Sequence, residues 1–317
     1  MVIGRNEGER LRKCLQSLGE SAGRAVYVDS GSTDGSVGLA RAMGAEVHEL
    51  DLRTPFTAAR ARNEGFARLR AAAPQLAYVQ FVDGDCELAA GWTAAAAGFL
   101  DAHPRVGAVC GRLREKYPER TVYNMLCDIE WDQPPGEARA CGGIFMIRAA
   151  AFESVHGFRA DVIAGEEPEL CVRLRAAGWQ IWRLAEEMAW HDAAITRFGQ
   201  WWRRTKRAGH AFAEGAWLHG APPERLYVAE ARRALAWGIG LPAVILACAL
   251  VDARALALLA LYPLQVIRIA VRGPLTGARA WRRAVFLVLG RFPEALGELS
   301  FVLNRLLRRR AARIDYK

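Results

Sequence analysis

Between residues 2 and 111 the chain alternates between two hydrophobic periods, and this constrains its fold more than anything else in it. Apolar runs at 2–4, 25–28, 46–50, 78–82 and 106–111 read as strands. The stretches 9–18, 36–43, 58–72 and 89–102 read as helices, with Leu11, Leu15 and Leu18 at helical spacing in the first. Strands separated by helices of this length form βαβ units, so the expected class is α/β with an open, mostly parallel twisted sheet. Right-handed crossovers then bring the loops that follow the strands to one edge. The middle is less regular. There we expect a strand over 140–147, entered through Gly142-Gly143, a helix over 167–177 and a short strand over 181–184.

A second change comes near residue 234, where the chain turns almost wholly apolar. Stretches 234–251 and 255–271 are each long enough to approach a membrane span. Arg232-Arg233 precede the pair, and Arg268, Arg272, Arg279, Arg282 and Arg283 end or follow it. With most arginines at the outer ends, the expected arrangement is a helical hairpin with both ends in the cytoplasm. A buried helical pair in a soluble domain is the competing reading. The stretch 284–307 mixes apolar residues with Arg291, Glu294, Glu298 and Arg305, as an amphipathic interfacial helix would. The expected organisation is a catalytic domain over 1–210, an amphipathic connector over 211–233, a transmembrane hairpin over 234–272 and a basic amphipathic segment over 273–317.

The net charge of +9 is concentrated late, in clusters such as Arg203-Arg204-Thr205-Lys206-Arg207 and Arg308-Arg309-Arg310. Because these flank apolar segments, membrane lipids are the expected partners and nucleic acid is not. Seven scattered cysteines without a Cys-x-x-Cys pair argue for reduced thiols and against structural zinc. No signal-peptide pattern opens the chain; Met1-Val2-Ile3 reads as a strand near its end.

The chemistry-bearing residues follow the strands. The run Phe81-Val82-Asp83-Gly84-Asp85 ends a buried strand in two carboxylates one residue apart. At the carboxyl edge of an α/β sheet, such a pair suits Mg²⁺ or Mn²⁺ carrying a diphosphate. Asp-Gly-Asp alone is also an ordinary turn. Asp29 opens a turn rich in Ser, Gly and Asp, which exposes N–H groups beside a carboxylate. Asp34 in that turn reads as a helix cap.

Five blocks in order resemble the family 2 glycosyltransferases of GT-A fold, including members with a membrane-associated C-terminus. They are Gly4-Arg5-Asn6-Glu7, Val28-Asp29-Ser30-Gly31-Ser32-Thr33-Asp34, Ala61-Arg62-Asn63-Glu64-Gly65, Val82-Asp83-Gly84-Asp85 and Gly165-Glu166-Glu167-Pro168-Glu169-Leu170. The resemblance spans about residues 1–210. It implies a nucleotide-sugar donor held by Arg5, Asn6, Glu7, Asp29, Arg62, Asp83 and Gly84. It also implies a divalent cation on Asp83 and Asp85, with His191 as a further ligand. Glu167, beside Glu166, takes the position of the base that removes the acceptor's proton. The family has Glu-Asp there and this chain Glu-Glu, so the base reaches about one methylene further. Gly142, Gly143 and Trp131 are assigned to the acceptor side.

The resembling polysaccharide synthases carry Gln-x-x-Arg-Trp. This chain has Gln200-Trp201-Trp202-Arg203-Arg204, and the missing final Trp speaks against processive synthesis. Trp201 and Trp202 are instead expected at the membrane interface. The expected activity is inverting transfer of one sugar to a lipid-linked or other glycan acceptor at the cytoplasmic membrane, in surface-polysaccharide or glycolipid synthesis. A sugar nucleotidyltransferase and a catalytically inactive nucleotide-sugar-binding scaffold are the alternatives.

Overall fold

A computed structural model describes residues 1–54 and 56–307; the Arg308-Arg309-Arg310 cluster and the end of the 273–317 segment lie outside the described residues. The chain forms two compact units, Met1–Ala194 and a second beginning at Ile195. The boundary expected at 210 falls inside a continuous helix, Phe198–His219.

The first unit runs β1 (Val2–Gly4), α1 (Glu9–Ser17), β2 (Val26–Asp29), α2 (Ser36–Ala42), β3 (Glu46–Glu49), α3 (Ala58–Ala72), β4 (Tyr78–Asp83), β5 (Cys86–Leu88), α4 (Trp92–Ala102), β6 (Val106–Glu115), α5 (Val122–Trp131), β7 (Gly136–Glu137), β8 (Phe145–Arg148), α6 (Ala149–Ser154), α7 (Glu166–Ala176) and β9 (Gln180–His191). The sheet order is β3-β2-β1-β4-β8-β6-β9-β5, with β7 on β9. It is mixed rather than mostly parallel. Strands β1 to β4 pair in parallel, as the βαβ pattern requires, while β8 enters antiparallel between β4 and β6. The parallel rule lapses where the strand–helix alternation of the sequence lapses, beyond β6.

Register sets the site. Gly4 of β1 pairs with Asp29, and Ile3 pairs with Asp83, so both carboxylates end strands at the same edge. Strand β9 runs to His191, well past the expected stop at 184, and pairs His191 with Cys86 and with Glu115. That length is what carries a histidine back to the acidic turn.

Helix α3 starts at Thr57, whose side chain accepts from Arg60 N. It lies against β1 and β2 at Gly65. A Cβ there would sit 2.5 Å from Met1 Cε and 2.8 Å from Val28 Cγ2. Beneath the acidic turn, Phe81 packs with Phe145, Phe152 and Phe158 at ring separations of 5.2, 5.5 and 5.6 Å. Truncating such a ring costs about 3–5 kcal/mol, so this cluster is a firm base for what stands on it.

The second unit is helical: α8 (Phe198–His219), α9 (Val228–Leu235), α10 (Leu241–Ala249), α11 (Leu261–Arg272), α12 (Gly277–Leu289) and α13 (Arg291–Leu306). A π-helical turn, Ala236–Gly240, joins α9 to α10, and a 3-10 segment, Ala253–Ala260, leads into α11. Two continuous helices result, Val228–Ala249 and Ala253–Arg272, each long and apolar enough to cross a membrane. Most of their surface is bare: Leu250 is 84 % exposed and Val251 90 %. The amphipathic stretch expected over 284–307 is divided at Gly290 between α12 and α13. Pro293 donates no N–H to the turn before it, which accounts for the break. Helices α8 and α13 meet at glycines: a Cβ on Gly209 would lie 1.9 Å from Glu294 O, and one on Gly297 2.0 Å from Lys206 O. Trp201, expected at the membrane interface, is buried against Phe286 at 4.9 Å. Gln200 accepts from the N–H groups of Thr196 and Arg197 and closes the start of α8.

Candidate active site

The loops after β1 and β2 are laced together. Asn6, at φ 56°, accepts from Thr33 N at 2.7 Å, and its own N–H donates to Ser32 Oγ. Gly8 N donates to Ser36 Oγ, and Asp34 accepts from Ser36 N and Oγ; the cap position is Gly35, so Asp34, expected to cap this helix, stands one residue ahead of it. Asp29 is buried and accepts from Tyr27 OH, Gly31 N, and Ser32 N and Oγ at 2.5–2.9 Å. Its carboxylate shapes the loop; the rim of that loop is what faces outward. Arg5 lies over the Phe56 ring and Glu7 pairs with Arg10. Gly84 donates to Ile3 O at 2.8 Å, so the acidic turn folds back onto β1.

Arg62 is the hub. Only 2 % exposed, it donates from Nη1 to Glu166 Oε1 at 2.8 Å and from Nη2 to Asp83 Oδ1 at 2.8 Å. Nη2 also reaches Gly143 O at 3.2 Å. Burial opposes its charge, but Asp83 and Glu166 outweigh burial and raise its pKa further. Sequence reading placed Arg62 on the nucleotide; here it binds two acidic loops together. Asn63 bonds both polar groups of the Phe158 backbone, at 2.8 and 2.9 Å, and so ties down the loop before α7.

Of Gly142 and Gly143, the pair expected on the acceptor side, Gly143 lies beside the Asp83–Arg62 pair. A Cβ on Gly143 would fall 3.0 Å from Asp83 Oδ2 and 3.3 Å from Arg62 Nη2. Gly142 sits at φ 92°, which suits glycine. That turn is why strand structure begins at Phe145 and not at 140.

Asp85, 5 % exposed, and His191 approach with Oδ2 and Nε2 3.1 Å apart. The Trp131 ring stacks on His191 at 4.6 Å and 12°. Trp131 thus spends one face on the histidine, whereas the acceptor-side reading has it facing a sugar. Glu115, which sequence reading missed, is buried behind His191 and accepts from Asn124, Tyr117 N and Ala193 N; burial raises its carboxyl pKa.

Glu167 is buried at the second position of α7. Its Oε1 accepts from Cys141 N at 2.5 Å and from Cys171 Sγ at 2.8 Å. Burial pushes the Glu167 carboxyl above the usual range despite these donors. Burial also raises Cys141 and takes Cys171 to about 11. The Cys171 thiol is therefore a hydrogen-bond donor to the Glu167 carboxylate. Cys171 also escaped sequence reading, although its spacing of four from Glu167 on a helix marks a facing pair.

Two sites can be told apart by donor chemistry. Asp85, Cys86 and His191 bring a carboxylate oxygen, a thiol sulfur and an imidazole nitrogen within 4.8 Å of one another, and Asp83 stands two positions before Asp85 in the same turn; the oxygen and nitrogen donors fit Mg²⁺ or Mn²⁺. The Cys141–Glu167–Cys171 group is buried, and its carboxylate, held by the Cys141 N–H and the Cys171 thiol, is placed to take a proton.

The mixed α/β sheet, with acidic residues from separate strand ends at one edge, has the GT-A fold. Residues 1–154 match the family described as glycosyl transferase family 2, and the chain is a glycosyltransferase. Among solved structures it is similar to the mannosyltransferase PcManGT from Pyrobaculum calidifontis, solved in complex with GDP-Man and Mn²⁺. That match has a TM-score of 0.62 and 23 % identity, covering 94 % of this chain and 86 % of the other. S. aureus TarS matches at TM-score 0.45 and 15 % identity over 92 % of this chain and 54 % of that one. Its 1–349 form matches at 0.47 and 13 % over 97 % and 91 %. No curated protein matches the chain in sequence.

Proposed function

We propose that this enzyme moves one sugar, with inversion, from a nucleotide-sugar to a lipid-linked acceptor at the cytoplasmic face of a membrane. The observation that carries the proposal is the Arg62 clamp. One guanidinium joins Asp83, from the donor-side turn, to Glu166, the neighbour of the candidate base. Cation loop and base loop are thereby held as one assembly, which a single displacement step requires.

Asp83, Asp85 and His191 would hold a divalent cation, as the Mn²⁺ bound in the archaeal relative supports. Bound there, the cation offsets the negative charge that grows on the departing diphosphate. The chain's own residues do the rest. The loop stiffened by Asn6, Ser32 and Asp29 forms the nucleotide rim. Glu167, raised by burial and oriented by Cys141 N–H and Cys171 S–H, accepts the acceptor hydroxyl's proton as its oxygen attacks the anomeric carbon. Attack opposite the leaving group inverts that centre.

The nucleotidyltransferase reading draws no support from the first loop. Its Asn6 and Gly8 N–H groups already donate to Ser32 and Ser36 and are not open to a triphosphate. The membrane role rests on the two bare apolar helices, and the cytoplasmic side on the arginines at their outer ends. A donor screen by thermal shift with Mn²⁺, followed by transfer assays on polyprenyl-phosphate and soluble acceptors, tests the proposal. Nucleotide-sugar stabilisation without sugar release to any lipid acceptor would remove the lipid-linked assignment.

A further inference from the structure

We infer that the second unit carries a binding site for the phosphate headgroup of an anionic membrane lipid. The inference rests on the membrane reading proposed above. At one end of the paired long helices lies a cleft of about 550 Å³, lined by Arg233 of α9, Trp237, and Gln265, Arg268, Ile269 and Arg272 of α11. The spacing 265, 268, 269, 272 places the α11 residues on one helix face. Tyr262 OH donates to Trp237 O at 2.7 Å, and their rings meet at 5.8 Å, which ties the two long helices together at the cleft. Arg233 is steered by Ala229 O and by Glu230 at 2.8 Å.

Three guanidiniums line this cleft and no carboxylate does. Arginine forks match phosphate oxygens in pairs, and basic pockets between membrane helices collect lipid headgroups. The source of the phosphate follows from the same helix. Leu261, Leu264, Ile267 and Val271 of α11 are exposed beside the cleft. A headgroup seated on Arg268 and Arg272 would leave its acyl chains along that apolar surface, whereas a soluble phosphate has no use for it. Trp237 adds the amphipathic ring found at membrane–water boundaries.

The test titrates the full-length protein, in neutral detergent, with short-chain phosphatidic acid, phosphatidylcholine of equal chain length, and inorganic phosphate, reading the thermal midpoint. Saturable stabilisation by phosphatidic acid, exceeding that by phosphatidylcholine, is expected. Arg268→Ala with Arg272→Ala should weaken it about thirtyfold, each arginine being worth about fivefold. The Lys pair at the same positions should still lose about fivefold, because a point charge cannot replace a fork. Arg232→Ala with Arg282→Ala, the same charge removed from exposed positions outside the cleft, should stay within about twofold. Equal losses in the two alanine pairs, or none in either, overturn the site. Inorganic phosphate binding as tightly as the lipid overturns the lipid as its occupant. The hairpin reading is judged separately, by flotation with phosphatidylcholine vesicles. Failure to float ends that reading, while the detergent titration still decides the cleft.

Discussion

In the first unit the residues that break the usual rules of burial are inside. Arg62, Asp85, Glu166, Glu167 and Glu169 are all buried, each charge with a partner. In the second unit the rule-breakers are outside, where Leu246, Leu250, Val251, Leu264 and Val271 face away from the protein. Buried charge costs free energy unless it is paired, and exposed apolar area costs it unless the surroundings are not water. The first anomaly coincides with the candidate active site. The second coincides with two helices long and apolar enough to cross a membrane. Reading either unit by the other's rule would misplace both.

The sharpest break of this contrast is at the base. Glu167→Gln should lower sugar transfer about 10²- to 10⁴-fold while leaving donor binding intact, measured by turnover and by donor titration. Unchanged turnover would favour the non-catalytic scaffold reading or a different base. The raised Glu167 pKa also fixes a sign: transfer should rise with pH through a value above the ordinary carboxylate range. Next comes Arg62→Met, which removes the guanidinium that joins Asp83 to Glu166. Denaturant unfolding of the first unit should lose about 3–5 kcal/mol. The opposite substitution tests the other half. Leu264→Arg should cost about 2.5–3.5 kcal/mol of membrane insertion, read by the fraction recovered in membranes, and leave donor binding unchanged.

Glu298 sharpens the comparison, because it is a buried carboxyl in the apolar unit. Among the described residues its Oε1 has no hydrogen-bond partner, and burial, with Glu294, pushes its pKa up to about 8. The folded state then holds a proton that the unfolded state releases. Its contribution to stability therefore falls as pH rises from the ordinary glutamate value of 4.5 toward about 8. Glu298→Gln should flatten that slope and add about 1–3 kcal/mol above it, measured by thermal unfolding across pH. The smallest effect is expected for Trp131→Leu. It removes the ring stacked on His191 and should weaken Mn²⁺ binding by about 0.5–1.5 kcal/mol in calorimetry.

Most of the first four strands was legible because each apolar run is closed by a turn residue and followed by helical spacing. The carboxylates at strand ends were legible for the same reason: position along the strand fixes the edge at which they emerge. His191 could be named, but its route to Asp85 could not, since β9 continues far beyond the apolar segment 181–184 through polar residues such as Glu186 and Glu187. The partners of Arg62 were also hidden. They lie 21 and 104 residues away in sequence, and no local pattern encodes such pairings. The thiol beneath Glu167 was visible only as spacing. The two long apolar helices were evident from composition, yet the division of 284–307 at Gly290 turned on the backbone chemistry of one proline, and Trp201 was claimed by packing against Phe286.

The seat of α3 has a consequence for how such an enzyme can change. With no room for even one methyl beneath Gly65, the helix rests on the sheet like a beam on its bearing, and Arg62 rides on that beam three residues earlier. Lifting the beam would pull the guanidinium off Asp83 and Glu166 together. Substitutions are therefore more easily accommodated among the outward-facing side chains around residues 30–35 than in this span, whose height above the floor is already at its minimum.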